Sequence, residues 1–416
     1  MKKQNKLKIF NDPIYGFIRI PNELIFEIIA HPYFQRLRRI SQMGLSYLVY
    51  PGAHHTRFHH AVGSMHLMKQ AIQVLRFKKI EITEEEEIGL LCAILLHDIG
   101  HGPFSHAMEH SIVESIDHET ISGYFMEDLN RKFKGSLSTG IAIFKGSHPK
   151  KFLNQLISSQ LDMDRLDYLK RDSFYTGVAE GNINAERLIT MLTVHKGELV
   201  VEEKGTYSVE KFLMARRFMY WQVYLHKTGI VAEQLLIRTL KRAKELHSKG
   251  NKLACSRALQ FFLDNKISKG DFDQGVLELF AQLDDVDILS ALKLWQHHDD
   301  FVLSTLCSML LNRRLLKIKL KNKPIKQAKI DQYFERFRSK FGLSEEEAAY
   351  FVFSGNIENK AYDQEIQNIN ILRANGKVVD VAGASDQLNL KALANTVRKY
   401  YMCYPPEDMK QNLVVK

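Results

Sequence analysis

Cysteine is scarce in this sequence: Cys92, Cys255, Cys307 and Cys403 are the four in 416 residues. They are too scattered for a thiolate metal motif and too few for a disulfide framework, so a reducing cytoplasm is the simpler expectation. No apolar run approaches the ~18 residues of a membrane-crossing helix, and the basic N-terminus has no apolar signal core. Membrane insertion is therefore not expected. Internal repeats and low-complexity tracts are also missing.

What remains is the composition of an ordinary globular protein, 45% hydrophobic and 25% charged. The length permits one large domain and a smaller one, and the reading places them at residues 1–320 and 321–416. A formal charge of +10 favours anionic ligands without separating nucleotides from nucleic acid.

The stretch from Thr83 to His118 concentrates the chemistry. Thr83 and Glu86 have capping-box spacing, and the acids Glu84 to Glu87 suit the positive end of a helix dipole. The apolar run Ile88 to Leu96 carries that helix into the core. His97, Asp98, Gly100, His101, Gly102, Pro103, His106, Glu109, His110 and His118 follow. Neighbours on a helix point about 100° apart, so His97 and Asp98 converge only on an ion beside the helix end. The glycines and Pro103 make a turn there, which lets His101 and His106 approach from a second direction. Imidazole beside carboxylate suits a divalent cation.

Two further segments offer partners. On one helix Arg57 and His60 share a face while His59 points elsewhere, which makes His60 the better ligand of the adjacent pair. Between Ser158 and Gly177, Asp164, Tyr168 and Arg171 fall at i, i+4 and i+7, placing a carboxylate, a phenol and a guanidinium on one face. That face suits a metal and phosphate oxygens; a solvated surface helix is the plainer alternative. Arg36, Arg38 and Arg39 flank an earlier helix and read equally as a solvated or a phosphate-binding face.

Elsewhere the pattern predicts an extended pair over 7–20, helix over 107–129, a loop from Gly135 to Gly146, and a hairpin between Val194 and Val209. A long helix is expected from Val209 to Ala243 and a broken one from Asp287 to Leu316. Lys317 to Lys329 reads as a basic linker around Pro324. A hairpin turning at Asn375-Gly376 and a final helix near Leu388 to Tyr400 complete the chain. The fold class is mostly α, a helical core with small β-hairpins and a mixed α+β C-terminal region.

These motifs together resemble the HD-domain phosphohydrolases, and among them the deoxynucleoside triphosphate triphosphohydrolases. The resemblance is carried by Asn11 to Gly16, Phe34 to Arg38, Gln42 to Gly44, Pro51 to Ala53, Arg57 to Gly63, His97 to His106 and Asp164 to Asp172. It implies an HD-type helical core, and a metal held by His60, His97, Asp98 and Asp164. It implies that Arg57 contacts a phosphate, that His101, His106 and His118 occupy the catalytic pocket, and that Glu109 positions a histidine. Arg165, Tyr168, Lys170, Arg171 and Asp172 would bind substrate. Gln42 would read the sugar 3′-hydroxyl, and Met43 stands where the family has a leucine that helps exclude a 2′-hydroxyl. Arg38, His226 and Lys227 match an activator-nucleotide site, but Ala30 replaces the acid that reads guanine in the regulated vertebrate members.

The donor set of nitrogens and oxygens accommodates Mn, Mg, Fe, Ni or Zn. The implied reaction converts a deoxynucleoside triphosphate to deoxynucleoside and tripolyphosphate in a homodimer or homotetramer. The alternatives are an HD phosphohydrolase acting on another nucleotide or phosphorylated metabolite, and a nucleic-acid-binding regulatory protein.

Overall fold

The computed structural model describes residues 8–104, 113, 116–360, 362, 368–386, 395–407 and 409. The chain opens with a two-stranded antiparallel hairpin, β1 (Ile9–Asp12) and β2 (Gly16–Arg19). Asp12 shapes its turn by accepting from the backbone N–H groups of Ile14 and Tyr15 at 2.9 and 3.0 Å. Helix α1 (Glu23–Ala30) follows, capped by the Asn22 side chain and burying Ile25, Ile28 and Ile29.

Two helices form the central wall. In α2 (Arg57–Phe77) thirteen positions are buried, His60 and Arg57 among them. The predicted capping box starts α3 (Glu84–Leu96): Glu86 N–H donates to Thr83 Oγ1 at 3.1 Å, and Thr83 N–H to the Glu86 carboxylate at 2.8 Å. Leu90 to Leu96 are all buried, so α3 is held from every side rather than along one stripe. Next come α4 (His118–Lys132), which packs on α5 (Ser138–Phe144), and α6 (Met163–Thr176); α5 packs on α3 and α6 on α2.

The turn after α3 is pinned by Arg36, which is neither the solvated nor the phosphate-binding residue that the sequence suggested, because its guanidinium is spent on backbone carbonyls. Arg36 is fully buried and donates to the carbonyls of Leu283, Ile99 and His101 at 2.6, 3.2 and 2.8 Å. Asp285 adds a second clamp, accepting from Ser41 and Phe104 N–H, each at 2.8 Å.

The middle of the chain forms strands β3 (Leu192–His195) and β4 (Glu198–Glu202), then helices α7 (Thr206–Met219) and α8 (Lys227–Ser248). Helices α9 (Asp285–Trp295) and α10 (Phe301–Leu311) follow, with the expected break falling between them. The C-terminal region contains β5 (Lys317–Lys321), α11 (Gln327–Phe341), β6 (Phe353–Asn359), β7 (Asn370–Leu372), β8 (Val378–Asp380) and β9 (Val397–Tyr404). One sheet has the order β3-β4-β7-β8 and another β5-β9-β6. The β7–β8 hairpin turns at Asn375-Gly376 as expected.

The mostly helical core and mixed C-terminal region agree with the sequence reading, while four local expectations do not. Gly135 to Gly146 contains α5, because Ile141 and Ile143 find a buried apolar surface. The long helix from Val209 is interrupted by a π-helical turn at Tyr220–Tyr224. Lys317 to Lys321 is a strand rather than a linker, paired along its length with β9, and Gln327–Lys329 opens α11. Finally, Val397 to Tyr400 belongs to β9 rather than a terminal helix, because β6 supplies backbone partners from Val397 onward and β5 joins at Tyr400; residues 387–394 lie outside the described residues. The helix predicted over 107–129 begins at His118; 107–112, 114 and 115 also lie outside.

Candidate metal centre

His60 comes from α2, His97 and Asp98 from the end of α3, and Asp164 from the first turn of α6. The four meet. His60 Nε2 lies 3.0 Å from Asp164 Oδ1 and 3.7 Å from Asp98 Oδ2; His97 Nε2 lies 3.4 Å from Asp164 Oδ1 and 3.5 Å from Asp98 Oδ1. Metal–ligand bonds of about 2.1 Å, opened by about 90–120°, put neighbouring donors about 3.0–3.6 Å apart. For His60, His97 and Asp164 the spacing is that of ligands around one divalent ion, and Asp98 borders that group with one oxygen near each histidine.

The hydrogen bonds behind the donors support the same reading. His97 Nδ1–H donates to the Ile94 carbonyl at 2.6 Å, and His60 Nδ1–H donates to Asp167 Oδ2 at 2.8 Å. Both rings are thereby oriented with Nε2 toward the centre, the atom that would offer its lone pair to a bound cation. Both Nε2 atoms are buried and have no hydrogen-bond partner among the described residues, as expected of atoms arranged for a cation.

Charge is concentrated accordingly. Burial would raise the Asp164 and Asp98 carboxyls, but His60 and His97 hold Asp164 well below the usual carboxylate range, and His97 and Arg57 do the same for Asp98. Burial would lower His60, yet Asp164 and Asp167 push it up to about 10. The paired acids thus favour positive charge at this point, and a bound cation would compete with that proton.

Arg57 forms a buried ion pair with Asp98. His101 Nε2 lies 3.4 Å from Asp98 Oδ1, and its ring stacks on His118 at 3.8 Å. Burial and then Arg57 pull His101 down to about 3, so it is neutral at ordinary pH. Asp98, His101 and His118 form a second group whose ligand atoms lie within 4.8 Å of one another. His106 and Glu109 lie outside the described residues.

Two cavities lie in this region, and His97, Asp98 and Asp164 of the donor set line the larger of them. One, of about 510 Å³, is lined by Gln42, Met43, Arg57, Tyr168, Asp172 and Tyr220 among others. The other, of about 710 Å³, has His97, Asp98, His118, Asp164 and Arg165 on its walls. Arg165 also pairs with Asp162 at 3.3 Å.

Two predicted contacts face elsewhere. Arg171 is fully buried and its guanidinium is taken up by Asp167 and Asp12 at 2.8–2.9 Å, so it braces α6 instead of reaching either cavity. Lys170 lies over the Tyr15 ring, 5.0 Å from its centroid. Of the activator candidates, exposed Arg38 covers the Phe58 ring at 3.5 Å, His226 caps α8, and Lys227 is exposed at the start of that helix.

Sequence reasoning missed the residues that hold the donors in place. Asp167 supports His60, and its signal was its position three residues after Asp164 on the same helix. His55 donates to Asp172 at 2.6 Å, and Tyr224 donates to the same carboxylate at 2.8 Å; only tertiary structure brings these together. Gly63 makes room for the support: a Cβ there would lie 2.1 Å from Asp167 Oδ1 and 2.2 Å from Arg171 Nη2. Gly63→Ala is expected to separate α2 from α6, cost about 1–3 kcal/mol of stability, and lower metal content. Thermal unfolding and metal analysis of the purified variant check both effects.

Comparison with known proteins converges on this region. The HD domain model matches residues 57–172, and the HD associated region model matches 183–256. The chain is similar to a crystallised phosphohydrolase from Bacteroides thetaiotaomicron, with 51% identity and a TM-score of 0.93 over 96% of this chain and 100% of that one. It is 32% identical to the uncharacterized Bacillus subtilis protein YwfO, over 98% of this chain and 94% of YwfO. It is also 31% identical to the Dictyostelium discoideum homolog of the deoxynucleoside triphosphate triphosphohydrolase SAMHD1, over 57% of this chain. The match spans 50% of that relative's length.

Proposed function

The chain belongs to the HD-domain phosphohydrolase family and is a metal-dependent phosphohydrolase, and from that premise we propose that its substrates are deoxynucleoside triphosphates, hydrolysed to deoxynucleoside and tripolyphosphate. One observation carries the nucleoside part of this reading. Among the described residues the Gln42 side-chain oxygen is buried without a hydrogen-bond partner, and Gln42 lines the same cavity as Arg57 and Tyr168. A buried acceptor of this kind is costly until a ligand supplies a donor, and a sugar hydroxyl next to a phosphate would do so. Met43 fills the adjoining wall, where its thioether stem would crowd a second hydroxyl. The similarity to triphosphohydrolases of the SAMHD1 type supports the same substrate class.

A bound divalent cation would supply polarisation of the phosphoryl oxygen and a more acidic water. His60, His97, Asp98 and Asp164 would hold it. Arg57, kept in place by Asp98, would set its guanidinium against phosphate charge that develops at the reacting centre. Burial keeps the Tyr168 phenol protonated, so it would serve as a hydrogen-bond donor. Arg165, on the wall of the larger cavity, would meet the outer phosphates, while Asp172, held by His55 and Tyr224, would help seat the sugar. His101 and His118, with His106 and Glu109 from outside the described residues, would manage protons. Arg38, His226 and Lys227 would take an activating nucleotide in a homodimer or homotetramer, which native mass measurement with and without nucleotide would test.

Mass-spectrometric analysis of a nucleotide panel with several divalent metals decides the substrate. Intact tripolyphosphate and deoxynucleoside are the expected products. Release of orthophosphate or pyrophosphate instead would favour hydrolysis of another phosphorylated compound at the same centre.

A further inference from the structure

The smaller cavity, of about 510 Å³, has walls of two kinds. Arg57 and Tyr168 belong to α2 and α6, the helices that also carry His60 and Asp164, and they form the wall suited to phosphate. Gly229, Glu233 and Leu236 form another. They fall at i, i+4 and i+7 on α8, so one face of that helix lines the cavity. Helix α8 packs chiefly on α10 and on the Gly44–Leu48 turn, so this wall is built by other elements than those that hold the donors.

Two features of this face are left over by the fold. Gly229 lies in ordinary helix, and a Cβ there would meet no atom within 4 Å outside its own stretch of helix. Neither a left-handed backbone nor tight packing calls for glycine, which is a poor helix former. What the missing side chain leaves is room on the cavity wall. The second feature is Glu233. Among the described residues three charged side chains line this cavity, Arg57, Asp172 and Glu233. Arg57 is taken for phosphate and Asp172 for the sugar, which leaves the Glu233 carboxylate, one turn beyond Gly229, for the base. The apolar groups Met43, Leu225 and Leu236 on the same walls suit a flat ring.

We propose that this face of α8 reads the base, and that guanine is the base it prefers. The inference rests on the nucleotide reading of the site. A carboxylate only accepts hydrogen bonds. Guanine presents two adjacent donors on one edge, N1–H and the N2 amino group, and engages both carboxylate oxygens at once. Adenine and cytosine offer one amino group beside an acceptor, and thymine one N–H flanked by two carbonyl oxygens that a carboxylate repels. The room at Gly229 acts in the same direction by admitting the second ring of a purine.

The test is an equimolar mixture of the four deoxynucleoside triphosphates turned over by the full chain with metal. Consumption from one mixture reads relative kcat/KM, and any activation by nucleotide acts on all four alike. The guanine substrate should disappear about tenfold or more faster than the thymine one, as a good bidentate contact discriminates. Glu233→Gln keeps one acceptor and adds a donor, so it should bring that ratio to within about twofold. Gly229→Leu fills the open space and should lower the ratio of purine to pyrimidine consumption about tenfold. Ratios do not change when part of a variant is misfolded. Calorimetric titration with the α,β-imido analogues of the guanine and thymine substrates makes the comparison without turnover, and the guanine analogue should bind about tenfold more tightly until Glu233→Gln removes the difference. Equal consumption of all four, a guanine-to-thymine ratio unmoved by Glu233→Gln, a purine-to-pyrimidine ratio unmoved by Gly229→Leu, or equal affinity for the two analogues would each overturn the proposal. Release of orthophosphate or pyrophosphate with these ratios intact would instead overturn the tripolyphosphate reaction and uphold the base assignment.

Discussion

Asp164→Ala is expected to lose its divalent metal and to hydrolyse no substrate above background, while its helical circular dichroism persists. Asp164 is the donor shared by both histidines, 3.0 Å from His60 Nε2 and 3.4 Å from His97 Nε2. Removing it leaves two neutral imidazoles and Asp98, a carboxylate already committed to Arg57. Loss of a mere outer-shell partner commonly lowers metal affinity about 10–100-fold, so loss of a direct ligand should exceed that. The fold should survive because Asp164 sits in the first turn of α6 with its side chain 28% exposed, whereas Leu166 and Leu169 of that helix are fully buried. Arg165→Ala is the useful contrast: it removes one wall of the larger cavity and no ligand, so it should retain metal and lose activity only in part. Metal analysis by mass spectrometry and a hydrolysis assay distinguish the two. Normal metal content with full turnover in Asp164→Ala would refute the assignment of the centre.

How much of this was readable beforehand depended on the range of the interaction. The start of α3 was legible because a capping box is a contact between residues three apart, and Thr83 and Glu86 make it as expected. Imidazoles and carboxylates clustered at helix ends pointed to a cation, but the set of four donors was nominated by the family resemblance. Their supports were hidden. Asp12 is 159 positions from the arginine it neutralises, and His55 is 117 positions from Asp172. Nothing in local spacing couples such pairs; only the packing of α2, α6 and the β1–β2 hairpin does. The basic run after α10 illustrates the converse limit. Its composition suits an exposed linker, but alternation along Lys317–Lys321 places Ile318 and Leu320 on the inner face, and pairing with β9 makes it a strand.

Arg171 separates a sequence expectation from a structural one most sharply, and Arg171→Met should reveal the difference as a loss of stability. On the helix it shares a face with Asp164 and Tyr168, which suggests a phosphate contact. In the folded chain its Nε and Nη2 donate to Asp167 and its Nη1 to Asp12, at 2.9, 2.9 and 2.8 Å. Burial would raise the Asp167 carboxyl, but Arg171 and His60 hold it at about 2. Methionine matches much of the volume and supplies no charge, leaving two buried carboxylates without their common partner. Breaking a buried pair in this way costs about 3–5 kcal/mol. The damage should also reach the metal centre, because Asp167 is the acceptor that orients His60. A fall in metal affinity of about 10–100-fold is expected, the range for outer-shell partners. Arg171→Lys should recover only part of the loss, since a single ammonium cannot bridge Asp12 and both oxygens of Asp167. Thermal unfolding together with metal titration reads both consequences. If Arg171→Met unfolds at the normal temperature, keeps its metal and changes only the substrate KM, Arg171 is a phosphate contact and not the brace its geometry describes.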